Sequence, residues 1–182
     1  MNKLFFTIVF TCLSIFSVNF VTIRAEAKQK MSPFPYDAKF LDQFSEHHSG
    51  AIEMGELASL KAENPEVKKM AAKMVSDQKG EIKKMKEWRE KISSAPEVAS
   101  SMQKIDMGDL SQKNGREFDF AFLDMMAKHH KQGVNMAKEA SFKLSNPEVK
   151  AFAKTAAVKQ EQERHQLLEM KKSEASEKST NK

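Results

Sequence analysis

Two adjacent histidine pairs, His47-His48 and His129-His130, hold the concentrated donor chemistry of a 182-residue chain that has five histidines, twelve methionines and one cysteine. Methionine accompanies each pair. Met54 follows His47 by seven residues, Met136 follows His129 by seven, and Met126 precedes His129 by three. Imidazole and thioether donors together, without thiolate and without a dense carboxylate cluster, suit Cu(I), whereas imidazole alone suits Cu(II), Zn or Ni. A copper ion is therefore the guest these residues predict, with Met126, His129, His130 and Met136 in one donor group and His47, His48 and Met54 in the other. Adjacent helical residues diverge by about 100°, so the two members of one pair do not chelate one ion easily. One imidazole from each pair meeting across a two-fold, or a separate site in each half, fits better.

The elements that must position these side chains are legible as a duplication. The stretch from Asp37 aligns without a gap on the stretch from Asp119, at an offset of 82 residues. It pairs Phe40-Leu41-Asp42 with Phe122-Leu123-Asp124, His47-His48 with His129-His130, Met54 with Met136, Asn64-Pro65-Glu66-Val67-Lys68 with Asn146-Pro147-Glu148-Val149-Lys150, Gln78 with Gln160 and Glu81 with Glu163. Each half reads as two helices. In the first, Phe40, Phe44, Ala51, Gly55 and Ala58 recur at three- and four-residue spacing, as one buried stripe does. With Phe40 at zero, His47 falls at roughly −20° and His48 at roughly 80°, so both rings flank that stripe. Asn64 and Asn146 cap the second helix of each half, with proline at its first position. Inner faces follow as Val67, Met70, Ala71, Met74, Ile82 and Met85, and as Val149, Phe152, Ala153, Ala156, Leu167 and Met170. Single methionines at such spacing are core filler in the ordinary case. Gln78, Glu81, Gln160 and Glu163 either orient the imidazoles from behind or are partly exposed.

Two antiparallel helical hairpins, 37–92 and 117–170, joined by a long connection over 93–116, predict an all-α fold: an antiparallel four-helix bundle of the ferritin-like type, with both hairpins in one domain. The polar segment 171–182 reads as a disordered tail. At the other end Lys3 precedes an uncharged run from Leu4 to Ile23, and Ala25-Glu26-Ala27 offers small residues at a cleavage site, the pattern of an export signal over 1–27 followed by a short segment over 28–36. The run is also about long enough to cross a bilayer, which leaves an uncleaved N-terminal anchor as the alternative and the only route to a membrane. Cleavage would remove Cys12 and leave a cysteine-free protein in the periplasm or medium, where thioethers survive as ligands and thiols do not.

Several functions are excluded. The net charge of +5 is spread along the chain and forms no basic module for nucleic acid. A di-iron oxidase needs Glu-x-x-His on two helices, and no glutamate stands three residues before any histidine. No phosphate-binding loop or Gly-x-Ser-x-Gly elbow is present. His165 has Lys83 at its counterpart position and reads as a surface residue or accessory ligand; Met102 and Met107 lie in the connection. The expectation is a non-enzymatic metal-ion binder, with a metal-free helical scaffold or envelope interaction module as the alternative and the homo-oligomeric state left open.

The run Asp37-x-x-Phe40-Leu41 to His47-His48-x-x-Ala51-Ile52-x-Met54, then Gln78-x-x-Glu81-Ile82 and Trp88, resembles the exported ferritin-like family catalogued as domain of unknown function 305. Phe122-Leu123-Asp124-Met125-Met126-x-x-His129-His130 and Met136 repeat the signature. The resemblance implies a four-helix bundle, and through the family's Met- and His-rich periplasmic members it implies copper binding in copper tolerance. Members carry methionine three residues before the histidine pair; Met126 keeps it and Phe44 does not, so the resemblance makes the second-half donors the stronger group. The segment from Gly55 through Gln78 also resembles a second exported four-helix family that lacks the histidine pair.

Overall fold

Asn64 and Asn146 start their helices as their place before proline requires. The Asn64 side-chain oxygen accepts the Glu66 amide at 2.8 Å, and that of Asn146 accepts the amides of Glu148 and Val149 at 2.9 and 3.2 Å. Each cap satisfies amides that the first turn leaves without carbonyl partners. The computed structural model describes residues 35–92 and 108–180, which form five helices: α1 (Pro35–Lys61), α2 (Pro65–Ile92), α3 (Gly108–Gln112), α4 (Gly115–Lys143) and α5 (Pro147–Thr180). The leader, Cys12, Met102 and Met107 lie outside the described residues. None of the described helices is long and apolar enough to cross a membrane.

Helix α1 packs on α2, α4 on α5, and the hairpins meet chiefly through α1 and α4. All five residues of the first stripe, Phe40, Phe44, Ala51, Gly55 and Ala58, are buried. Helices α1 and α4 run antiparallel, as two reciprocal clamps show. Asp37, at the start of α1, accepts the amides of Ser145 and Asn146 in the α4–α5 turn at 3.1 and 2.7 Å. Asp119, at the start of α4, accepts those of Glu63 and Asn64 in the α1–α2 turn at 3.0 and 2.7 Å. Each hairpin thus seals the other's turn with a buried carboxylate. Two further equivalent ties join first to second helix within each hairpin: Asp42 with Arg89 at 2.8 Å, and Asp124 with Lys171.

Since α2 ends beside the start of α1, the chain must return along the whole bundle before α4 begins. A 28-residue helix is about 42 Å long, and most of the connection, residues 93–107, lies outside the described residues. Its described end carries α3, whose Leu110 is fully buried in the core. Gly115 then opens α4 with φ of 58°, a left-handed turn that glycine adopts without penalty.

The tail differs from expectation. Residues 171–180 are not disordered but continue α5. Glu174 is the reason: it is buried, its carboxylate accepts the Asn64 side-chain amide at 2.6 Å, and Arg116 reaches it at 3.3 Å. The sequence hides this because the partners lie far along the chain, Asn64 in the other hairpin and Arg116 at the start of α4.

The clamps should carry measurable stability. Asp37→Asn and Asp119→Asn each replace a charged acceptor by an amide facing backbone N–H groups, at an expected cost of about 1–3 kcal/mol. The two costs should add, since the clamps lie at opposite ends. Urea denaturation of the single and double variants checks this; wild-type midpoints in all three would remove the clamps from the energetics.

Candidate metal centre

The two histidines of each pair point to different neighbours, as a 100° step demands. His47 on α1 and His129 on α4 face each other, with ring centroids 3.8 Å apart and planes inclined at 24°. His48 and His130 turn instead toward α2 and α5. Nε2 of His48 lies 2.8 Å from Glu81 Oε2, and Nε2 of His130 lies 3.0 Å from Glu163 Oε2. The four rings form one array across the bundle, His48–His47–His129–His130, with successive centroids at 6.2, 3.8 and 6.3 Å and a glutamate at each end. Of the two arrangements the spacing allowed, one ring from each pair meeting across the two-fold or a separate site in each half, the structure has the first for His47 and His129.

Hydrogen bonding distinguishes the rings. In His48, Nδ1 lies 2.8 Å from the Phe44 carbonyl and Nε2 2.8 Å from Glu81, so both nitrogens are engaged by protein partners. Burial pushes the Glu81 carboxyl up, but hydrogen bonds from His48 and Lys159 outweigh it and hold the group below the usual carboxylate range. His47 donates Nε2–H to the His129 carbonyl at 3.2 Å. That fixes its tautomer and leaves Nδ1 as an acceptor. Nδ1 of His47, His129 and His130 and Oε1 of Gln78 and Gln160 are buried without a hydrogen-bond partner. A buried unmatched polar atom costs about 1–3 kcal/mol, so a group of them is a vacancy for a donor or a cation.

Gly133 makes the packing here feasible. A Cβ at Gly133 would stand 1.9 Å from Gln160 Oε1 and 2.7 Å from His47 Cε1, whereas its counterpart in the first half is Ala51. The missing methyl lets Gln160 reach the His47 ring, a close approach that the sequence pattern alone did not reveal.

Sulfur is distributed across the halves of the repeat. Because α1 and α4 are antiparallel, residues after the histidines on one helix lie beside residues before them on the other. Met54 and Met126 therefore share one half of the core with Met74, against which Met70, Met125 and Met170 pack. Met136 belongs to the other half, with Phe40, Phe44, Met85, Trp88 and Phe152. The grouping of Met126 with Met136 expected from the sequence is thus divided. Met126 instead shares a half-core with Met54, and both are fully buried. Among the described residues no three His, Cys, Asp or Glu side chains gather as a ready chelate, so a soft ion here would have to recruit thioether as well as imidazole.

Desolvation first, then the neighbouring imidazoles, lowers His47 to about 3 and His129 to about 2 from the ordinary 6.5. Both rings are neutral at physiological pH, as a metal ligand must be. Between those values the unfolded chain binds the extra protons. The stabilisation is therefore complete above the ordinary value and is lost as pH falls toward the depressed ones, at about 1.4 kcal/mol per pH unit for each ring. Urea midpoints measured between about pH 7 and 5, above the carboxylate range, should fall for the wild type and change far less in His47→Gln/His129→Gln. Equal slopes would show that the stacked pair does not titrate on unfolding.

The sequence model described as domain of unknown function (DUF305) matches residues 37–171. No curated protein matches the chain. Among solved structures, CopM in the Cu(II)-bound form is 30% identical with a TM-score of 0.69, over 75% of this chain and 96% of that one. CopM in the Cu(I)-bound form is 32% identical with a TM-score of 0.68, over the same shares. A DUF305 protein from Streptomyces coelicolor, 23% identical with a TM-score of 0.71 over 77% of this chain and 94% of its own, shares the fold. The chain belongs to the domain of unknown function 305 family.

Proposed function

We propose that the protein is an exported, non-enzymatic copper-binding protein that holds Cu(I) in the middle of the bundle and buffers or carries it, as copper tolerance requires. The observation that carries this reading is the set of buried, unpartnered imidazole nitrogens beside a sulfur-rich half-core. The Cu(I)- and Cu(II)-bound forms of CopM, at about 30% identity, support it.

The donors best placed are His47, His129 and His130 for nitrogen and Met54 and Met126 for sulfur. His48 has both nitrogens committed, and Met136 lies in the aromatic half, so both suit a supporting part. Glu163 behind His130 orients the ring and raises its basicity. Copper supplies no step of bond chemistry in this reading; the residues bind and shield the ion from water. The leader pattern over 1–27 supports export.

A metal-free scaffold is favoured by one observation, the hydrogen-bonding of His48 and His130 to glutamates in a purely structural manner. Anaerobic titration with Cu(I) against a competing chelator separates the readings. The wild type should bind and gain thermal stability by mass action. In His47→Gln/His129→Gln the central affinity should fall by more than about a hundredfold, given that altering even outer partners of a metal site costs ~10–100-fold. Unchanged affinity in that variant would refute the site, and no Cu(I)-dependent gain in melting temperature would favour the scaffold.

A further inference from the structure

The seam between α2 and α5 is the wide side of the bundle, and its two ends differ. At its centre Lys159 reaches Asp77 at 3.0 Å and Glu81 at 2.7 Å. Positions 77 and 159 are counterparts in the repeat, so opposite charges at one duplicated position stitch the halves. At one end the seam is closed by aromatic rings: Trp88 and Phe152 have centroids 5.3 Å apart, and Trp88 Nε1 donates to Glu148 at 2.9 Å.

At the other end the repeat places different residues. The counterparts of Phe152 and Trp88 are Met70 and Met170, and that of Lys83 is His165. Among the described residues no aromatic pair equivalent to Trp88 and Phe152 stands at this end. A groove of about 630 Å³ opens instead, and Met70, Met170 and His165 line it. Both methionines are half-buried and pack against the sulfur-rich half-core, while the His165 side chain is 66% exposed and its Nε2 lies 3.3 Å from Glu161 Oε1. The carboxylates lining the groove have lysine partners, Glu66 with Lys69 at 3.7 Å and Glu169 with Lys172 at 2.6 Å. The soft donors that remain are the two thioethers and the His165 imidazole. Such a set prefers Cu(I) or Ag(I) to hard cations or Zn(II).

We propose that this groove is a second, surface site for a soft monovalent cation, held by the sulfurs of Met70 and Met170 and the imidazole of His165. It is distinct from the central array and rests on the proposed function only for the identity of the natural ion. Its inner wall adjoins the half-core containing Met74, Met54 and Met126, so the groove is also the sulfur-lined side from which an ion reaches the centre.

Silver(I) titration of the full chain, with 13C-labelled methionine methyls read by NMR, tests the site. The Met70 and Met170 methyl resonances should shift in the wild type and equally in His47→Gln/His129→Gln, and Zn(II) should leave them in place. Met70→Leu/Met170→Leu, which keeps the apolar shape, should lose one equivalent of Ag(I), and His165→Ala should weaken the groove by about tenfold or more. Resonances of Met70 and Met170 that stay fixed while others move, or unchanged stoichiometry in the leucine variant, would overturn the groove site. Groove resonances that shift while Met54 and Met126 do not would leave it standing and refute the central copper reading instead.

Discussion

The bundle turns on one contact, the face-to-face approach of His47 and His129 at 3.8 Å. Two imidazoles at that separation cannot both carry charge in a buried setting, because desolvation and mutual repulsion act in the same direction. Their neutrality constrains everything around them. The protons that would make them good polar partners are withheld, one nitrogen of His47 is given to the opposite backbone, and Nδ1 of each ring is left without a partner. A protein that only needed to fill its core would place apolar side chains there, at no cost in unmatched acceptors. The proposed copper binding gives those acceptors a use.

Duplication explains the symmetry of the array, and the departures from duplication explain its direction. Phe44 against Met126, Phe152 against Met70 and Trp88 against Met170 each put a ring in one half-core and a thioether in the other. The two ends of the same architecture have thereby become chemically unlike. One is closed and aromatic. The other is rich in sulfur and opens to solvent between α2 and α5. Burying an apolar side chain of either kind is worth about 1.5–3 kcal/mol, so stability does not demand methionine there.

Much of this was legible in the residues themselves. The repeat, the buried stripe from Phe40 to Ala58 and the Asn-Pro caps follow from local spacing and survive in the structure. The 100° divergence within each histidine pair allowed the meeting of one ring from each half or a separate site in each, and could not choose between them. What escaped was whatever depends on the sense in which the hairpins dock. Antiparallel α1 and α4 put Met54 beside Met126 and carry Met136 away, a trans pairing that spacing along one chain cannot disclose. Asp37 and Asp119 open each repeat unit yet act on the opposite hairpin's turn. Glu174 orders a tail of ordinary polar composition through contacts with Asn64 and Arg116.

The most direct test of the central claim is anomalous diffraction from crystals grown with silver(I), which reports the metal's position without a redox change. The expected map places a peak within bonding distance of an imidazole Nδ1 of His47 or His129 and a sulfur of Met54 or Met126, with the two rings drawn out of their stack. Rings still stacked, with metal found only at the surface of the bundle, would contradict it.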